Sequence, residues 1–112
     1  MVARAVDGWW RELGEPDPFV VVEAGAGPGT LARTVLVARP ACAPALRWVL
    51  VDRSPAQRAR HAEGLPLEAP EMAFGPEDDD SPRPQPSGRG PIVVSLADLP
   101  RVPGPCVVLA NE

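Results

Sequence analysis

The chain has 112 residues and 45% apolar content, enough for one small domain with a core of its own. Its formal charge of -4 and pI near 4.9 exclude the overall basic footprint that non-specific nucleic-acid binding needs, and no apolar run approaches a membrane span. Sixteen prolines and ten glycines commit much of the chain to turns and loops.

Val2, Val6, Trp9 and Leu13 recur at helical spacing with Arg4, Asp7 and Arg11 between them, so the pattern predicts an amphipathic helix over 2–13 that Gly14 ends. Its stripe should cover one face of a sheet, with Trp9 and Trp10 in the core rather than at a substrate entrance. After a turn over 15–18, residues 19–23 read as the first strand.

Residues 20–30, Val-Val-Val-Glu-Ala-Gly-Ala-Gly-Pro-Gly-Thr, carry the most information. A β-branched run that stops at an acid and enters alternating glycines is how a buried parallel strand hands over to a ligand-cradling turn and a helix. At Gly25, Gly27 and Gly29 the main chain can take positive φ and lie directly against a ligand. The helix that follows aims amide N–H groups at the turn. A dinucleotide site usually has the spacing G-x-G-x-x-G, whereas here Thr30 stands where the third glycine would be. Glu23 suits a cationic amino-acid moiety and would repel a pyrophosphate. Both features favour S-adenosylmethionine over NAD, and the form E-x-G-x-G-x-G resembles the first motif of class I methyltransferases.

Leu31, Val35 and Ala38 lie on one face of a helix over 30–38 that Pro40 closes. Residues 46–52 form the second strand, and strand, helix and strand make a right-handed crossover. Asp52, at the end of that strand, can accept hydrogen bonds from both ribose hydroxyls of a nucleoside, or can serve as a helix cap. NAD sites use the same acid, so Asp52 does not choose between cofactors. A short helix over 54–63 should pack through Ala56, Ala59 and Ala62, with His61 in water. His61 is the sole histidine and has no cysteine at ligand spacing, so no metal site is expected.

From Leu65 through Pro91 the chain carries seven prolines and an acidic run, and residues 76–90 read as a disordered insertion. Leu67, Met72 and Phe74 could pin its first half to the body. Residues 91–95 form a third strand and 96–100 a single helical turn capped by Ser95. Leu96 and Asp98 could meet the adenine edge, although Asp98 equally suits a first-turn acid. A fourth, buried strand over 106–110 delivers Asn111 and Glu112 to the same carboxyl edge as Glu23 and Asp52, where open α/β sheets bind ligands. Cys42 and Cys106 form no C-x-x-C pair, and the N-terminus lacks a signal-peptide pattern, so reduced cysteines and a cytoplasmic setting are expected.

Four segments together, Val-Val-Glu-Ala-Gly-Ala-Gly-Pro-Gly-Thr-Leu-Ala-Arg, Val-Leu-Val-Asp-Arg-Ser-Pro-Ala-Gln-Arg-Ala-Arg-His, Ser-Leu-Ala-Asp-Leu-Pro and Val-Val-Leu-Ala-Asn-Glu, resemble successive segments of the MidA-like S-adenosylmethionine-dependent methyltransferases. That group includes a mitochondrial complex I assembly factor. The resemblance implies a Rossmann-like α/β class I methyltransferase fold, truncated to about four parallel strands in the order 3-2-1-4 with helices on both faces. By position, Glu23, Gly25, Gly27 and Gly29 would hold the methionine end, Asp52 the ribose and Leu96 to Asp98 the adenine side. Asn111 and Glu112 would face the transferred methyl, with Glu112 orienting the acceptor. Protein arginine is the substrate class of the mitochondrial relatives. The family continues past Asn-Glu into a substrate-binding half, so this chain would be the cofactor-binding part, and its fourth strand an open edge for self-association. An NAD-linked oxidoreductase and a non-catalytic interaction module are the competing readings.

Overall fold

The computed structural model describes residues 2–70, 73, 90–102 and 106–110. A helix α1 (Val2–Glu12) precedes strand β1 (Phe19–Ala24), helix α2 (Thr30–Ala38), strand β2 (Leu46–Val51), helix α3 (Pro55–Gly64) and strands β3 (Ile92–Leu96) and β4 (Cys106–Ala110). The four strands form one sheet, all parallel, in the order β3-β2-β1-β4. This is the expected order of a Rossmann-like α/β fold.

Alternation along the strands splits the core into two layers. Phe19, Val21, Leu46, Trp48, Leu50 and Val93 face one side with Val6 of α1 and Ala32 and Val35 of α2. Val20, Val22, Val49, Val51, Ile92 and Val94 face the other, where Ala73 and Val102 lie against them. Helices α1, α2 and α3 lie on the first side: α3 reaches it through His61, whose ring bonds Ser95, the neighbour of Val94 on the Val93 face. On the second side the helical residue Ala73 packs against the strands. The shared side of α2 and α3 is topological, because two right-handed crossovers stepping in the same direction, β1 to β2 to β3, place both helices on one face.

Gly14, at φ 88°, ends α1 as expected, with the Glu15 N–H closing on the Trp10 carbonyl at 2.8 Å. Leu13 is outside the apolar stripe, and Trp9 and Trp10 are half-buried against the core. Both carboxylate oxygens of Asp7 accept N–H groups from Ala41 and Cys42 at 2.9 Å, which ties α1 to the loop after α2.

Several local expectations are corrected. On α2 the buried residues are Ala32 and Val35, while Ala38 is exposed. On α3 the alanines 56, 59 and 62 are all exposed, and the packing side belongs to His61. No helical turn follows β3: the strand runs on through Leu96, because its carbonyl accepts the Asp52 N–H at 3.0 Å and so extends the ladder with β2. Strand β4 is an edge strand rather than a buried one, with Val108 59% exposed. Leu67 does pin the chain to the body through a parallel bridge to Val93. Met72, Phe74 and, apart from Gly90, the expected insertion over 76–90 lie outside the described residues.

Candidate functional site

Register brings the strand ends level. Ala24 pairs with Val51 on one side and Ala110 on the other, and Val51 pairs with Leu96. The chain therefore leaves the sheet at Gly25, Asp52 and Ala97 along one carboxyl rim.

The glycine turn is anchored to β2 before it reaches α2. The N–H groups of Gly25 and Ala26 both donate to the Val51 carbonyl, at 2.8 and 3.1 Å. Gly25, Gly27 and Gly29 have φ of 71°, 60° and 87°, all in the left-handed region where a side chain is strained. Gly29 is the N-cap of α2 without a side-chain cap, so the helix opens onto the turn through bare backbone.

Asp52 braces this turn. Its Oδ2 accepts the Gly27 N–H and its Oδ1 the Ser54 N–H, both at 2.9 Å. Those two bonds, from Ser54 first and Gly27 next, hold its carboxyl below the usual carboxylate range, so it is ionised at neutral pH. A carboxylate offers about four acceptor positions, and these bonds use one on each oxygen. Helix capping at α3 falls to Ser54, whose hydroxyl accepts the Gln57 N–H, with Pro55 in the first turn.

Ala24, Gly25, Val51, Asp52, Ala97, Asp98 and Leu99 line a cleft of about 410 Å³ at this rim. That is within the size range of small-molecule sites. Three residues singled out in the sequence, Gly25, Asp52 and Asp98, thus share one wall-to-wall space. Leu99, 64% exposed, adds an apolar side chain at its mouth. Leu96 contributes its carbonyl to the Asp52 N–H instead of facing the cleft, and Asp98 has no helix dipole to complement.

Glu23 lies elsewhere. Its side chain is fully buried on the helical face, where Oε1 accepts the Trp48 indole N–H at 3.2 Å. It underlies a second cleft, of about 590 Å³, with Trp9, Leu31 and Leu109 among its walls. Asn111 and Glu112 lie outside the described residues.

His61 is the residue that sequence reasoning misplaced. It is fully buried, with Nε2 at 2.5 Å from the Gly27 carbonyl oxygen and Nδ1 at 2.7 Å from Ser95 Oγ. A helical register that leaves all three alanines outside was the available signal, but both ring partners come from distant segments. Among the described residues no group of three or more His, Cys, Asp or Glu could hold a metal ion, and no helix is long and apolar enough to cross a membrane.

Comparison with known proteins adds the chemistry. The whole chain, residues 1–112, matches the family described as "Putative S-adenosyl-L-methionine-dependent methyltransferase". A fruit-fly (Drosophila melanogaster) protein, "Protein arginine methyltransferase NDUFAF7 homolog, mitochondrial", is 63% identical over 27 residues. That match covers 24% of this chain and 6% of the fly protein. No solved structure gives a significant match.

Proposed function

Since the chain belongs to this family of S-adenosyl-L-methionine-dependent methyltransferases, we propose that it holds the cofactor across the carboxyl rim, between the glycine turn and the loop after β3. The observation that carries this reading is the joint presence of Gly25, Asp52 and Asp98 around one cleft. The acceptor positions that Asp52 has beyond its two backbone bonds suit the paired hydroxyls of a ribose. Gly25, exposed and without a Cβ, lets a ligand lie on the main chain, and Gly27 and Gly29 set the path of the turn. Asp98 and the backbone from Leu96 flank the adenine side, with Leu99 as an apolar cover. Glu23 orients the methionine tail from the floor of the second cleft.

When bound, the cofactor supplies an electrophilic methyl group. The polypeptide's work is then to fix an acceptor in line with that methyl and to exclude water. Asn111 and Glu112 follow directly on β4 and so are assigned to that side, Glu112 as the group that orients the acceptor. A protein arginine is the acceptor class we favour, from the name of the fly relative. The narrower MidA-like grouping rests on the four motif segments, and a cytoplasmic setting on the two free cysteines.

Titration of the protein with S-adenosylhomocysteine and, separately, with NADH tests the reading. Saturable binding of S-adenosylhomocysteine is expected. Saturable binding of NADH alone would return the site to the dinucleotide class.

A further inference from the structure

We propose that His61 is a positioning residue for the cofactor turn, acting through the carbonyl of Gly27. The inference rests on the reading of the glycine turn as a ligand cradle. A carbonyl oxygen can only accept, so the 2.5 Å contact requires the proton on Nε2. In the neutral ring Nδ1 is then an acceptor, and the Ser95 hydroxyl donates to it at 2.7 Å. The chain of bonds therefore runs from β3, through the ring, to the turn. On its other side Gly27 gives its N–H to Asp52 Oδ2. The two peptide units that meet at Gly27 are thus held from opposite directions, one by Asp52 at the end of β2 and one by His61 on α3. That fixes both backbone torsions of a residue that, at φ 60° and without a side chain, has little else to hold it.

A buried histidine satisfied by hydrogen bonds can be no more than a core residue. Three observations assign this one to the site. His61 is the buried residue of α3, and its polar bonds go to the turn and to the strand end beside the cleft rather than to its own helix. The turn is shaped to receive the ring: a Cβ on Gly29 would stand 3.4 Å from His61 Cδ2 and 3.1 Å from Leu65 Cδ1. Asp52, the partner across Gly27, lines the cleft itself.

The test uses the whole chain and two readouts, amide-proton exchange at Gly27 without ligand and titration with S-adenosylhomocysteine. His61→Ala should speed exchange at Gly27 and weaken S-adenosylhomocysteine, each by about tenfold, the equivalent of one hydrogen bond. Exchange at Val21 and Val49, inside the sheet, should stay as in the unaltered chain. His61→Gln should restore both values, because its amide offers a donor to Gly27 and an acceptor to Ser95 at the spacing of the two ring nitrogens. Should His61→Ala fail to fold, Ser95→Ala removes only the hydroxyl and should loosen Gly27 in the same sense, and the nitrogen shifts of the unaltered ring should show Nε2 protonated. Unchanged exchange at Gly27 in a folded His61→Ala protein, or a ring protonated on Nδ1 alone, overturns the proposal. Failure of the unaltered chain to bind S-adenosylhomocysteine would instead strike the cofactor reading, with Gly27 exchange still deciding the role of His61.

Discussion

Asp52 and Gly27, 25 residues apart, are joined by a 2.9 Å hydrogen bond from the Gly27 N–H to Asp52 Oδ2. The acid at the end of β2 therefore has structural work in the free protein as well as a place in the cleft. Replacing it should show two separable effects.

Asp52→Ala removes a charged acceptor, a loss worth about 1.5–3 kcal/mol per hydrogen bond, and S-adenosylhomocysteine should bind roughly ten- to a hundredfold more weakly. The free protein should also melt at a lower temperature, because the Gly27 and Ser54 N–H groups lose their partner. Calorimetric titration and thermal melting measure the two effects. Unchanged affinity would show that the ribose is held elsewhere, and an unchanged melting point that the brace is dispensable.

The depressed Asp52 carboxyl also fixes the sign of a pH effect. The unfolded chain takes up a proton near pH 3.9, whereas the folded chain does so at lower pH, held back by the Ser54 and Gly27 N–H groups. The resulting stability is present in full above the unfolded value and is lost as pH falls through the folded one. Urea unfolding between pH 5 and 7 should thus show no slope due to Asp52. Below about pH 4 the unaltered protein should lose stability more steeply than Asp52→Asn, and equal slopes would contradict the assignment.

Cys42 should be chemically silent. Its thiol is pushed up to about 12, by burial first and then by the hydrogen bond and negative charge of Asp7. At pH 8 an aromatic disulfide reagent should modify no more than one thiol of the folded chain, the half-buried Cys106, and both after denaturation. Rapid modification of two thiols in the folded protein would contradict this.

Two alanine substitutions in the turn should differ. Gly27→Ala meets nothing within 4 Å and bears only the left-handed backbone cost of about 1–2 kcal/mol. Gly29→Ala adds a 3.1 Å contact with Leu65 Cδ1 at φ 87°. It should be the more destabilising, with each further 1 kcal/mol lowering the melting temperature by about 4–8 °C. The reverse order would show that the Leu65 side of the turn yields easily.

The sheet was legible because each strand is a short apolar run with an acid or a turn signal after it, and crossover handedness leaves few ways to order such strands. The rim was legible for the same reason, since parallel strands with matched lengths end together, and Gly25 and Asp52 could be placed there from the sequence, whereas Asp98 equally suited a helical turn that does not form. His61 was not. Its three alanine neighbours suggested a small-residue face, and nothing local signals that Gly27 and Ser95, each 34 positions away, would offer a ring its two partners. The helical turn expected after Ser95 failed for a related reason: the Ser95 hydroxyl is taken by His61, and the Leu96 carbonyl by Asp52. At Glu23 the motif gives the position and not the surroundings: the alternation of β1 turns the side chain to the helical face, where it accepts the Trp48 indole N–H.

The most direct test of the account is to follow the backbone amide signals of the protein during titration with S-adenosylhomocysteine. Saturating shifts centred on Gly25, Gly27, Asp52, Ala97 and Asp98 and extending to Glu23, with the amino ends of the strands undisturbed, are the predicted result. Shifts clustered away from the carboxyl rim, or none under S-adenosylhomocysteine while NADH produces them, would contradict it.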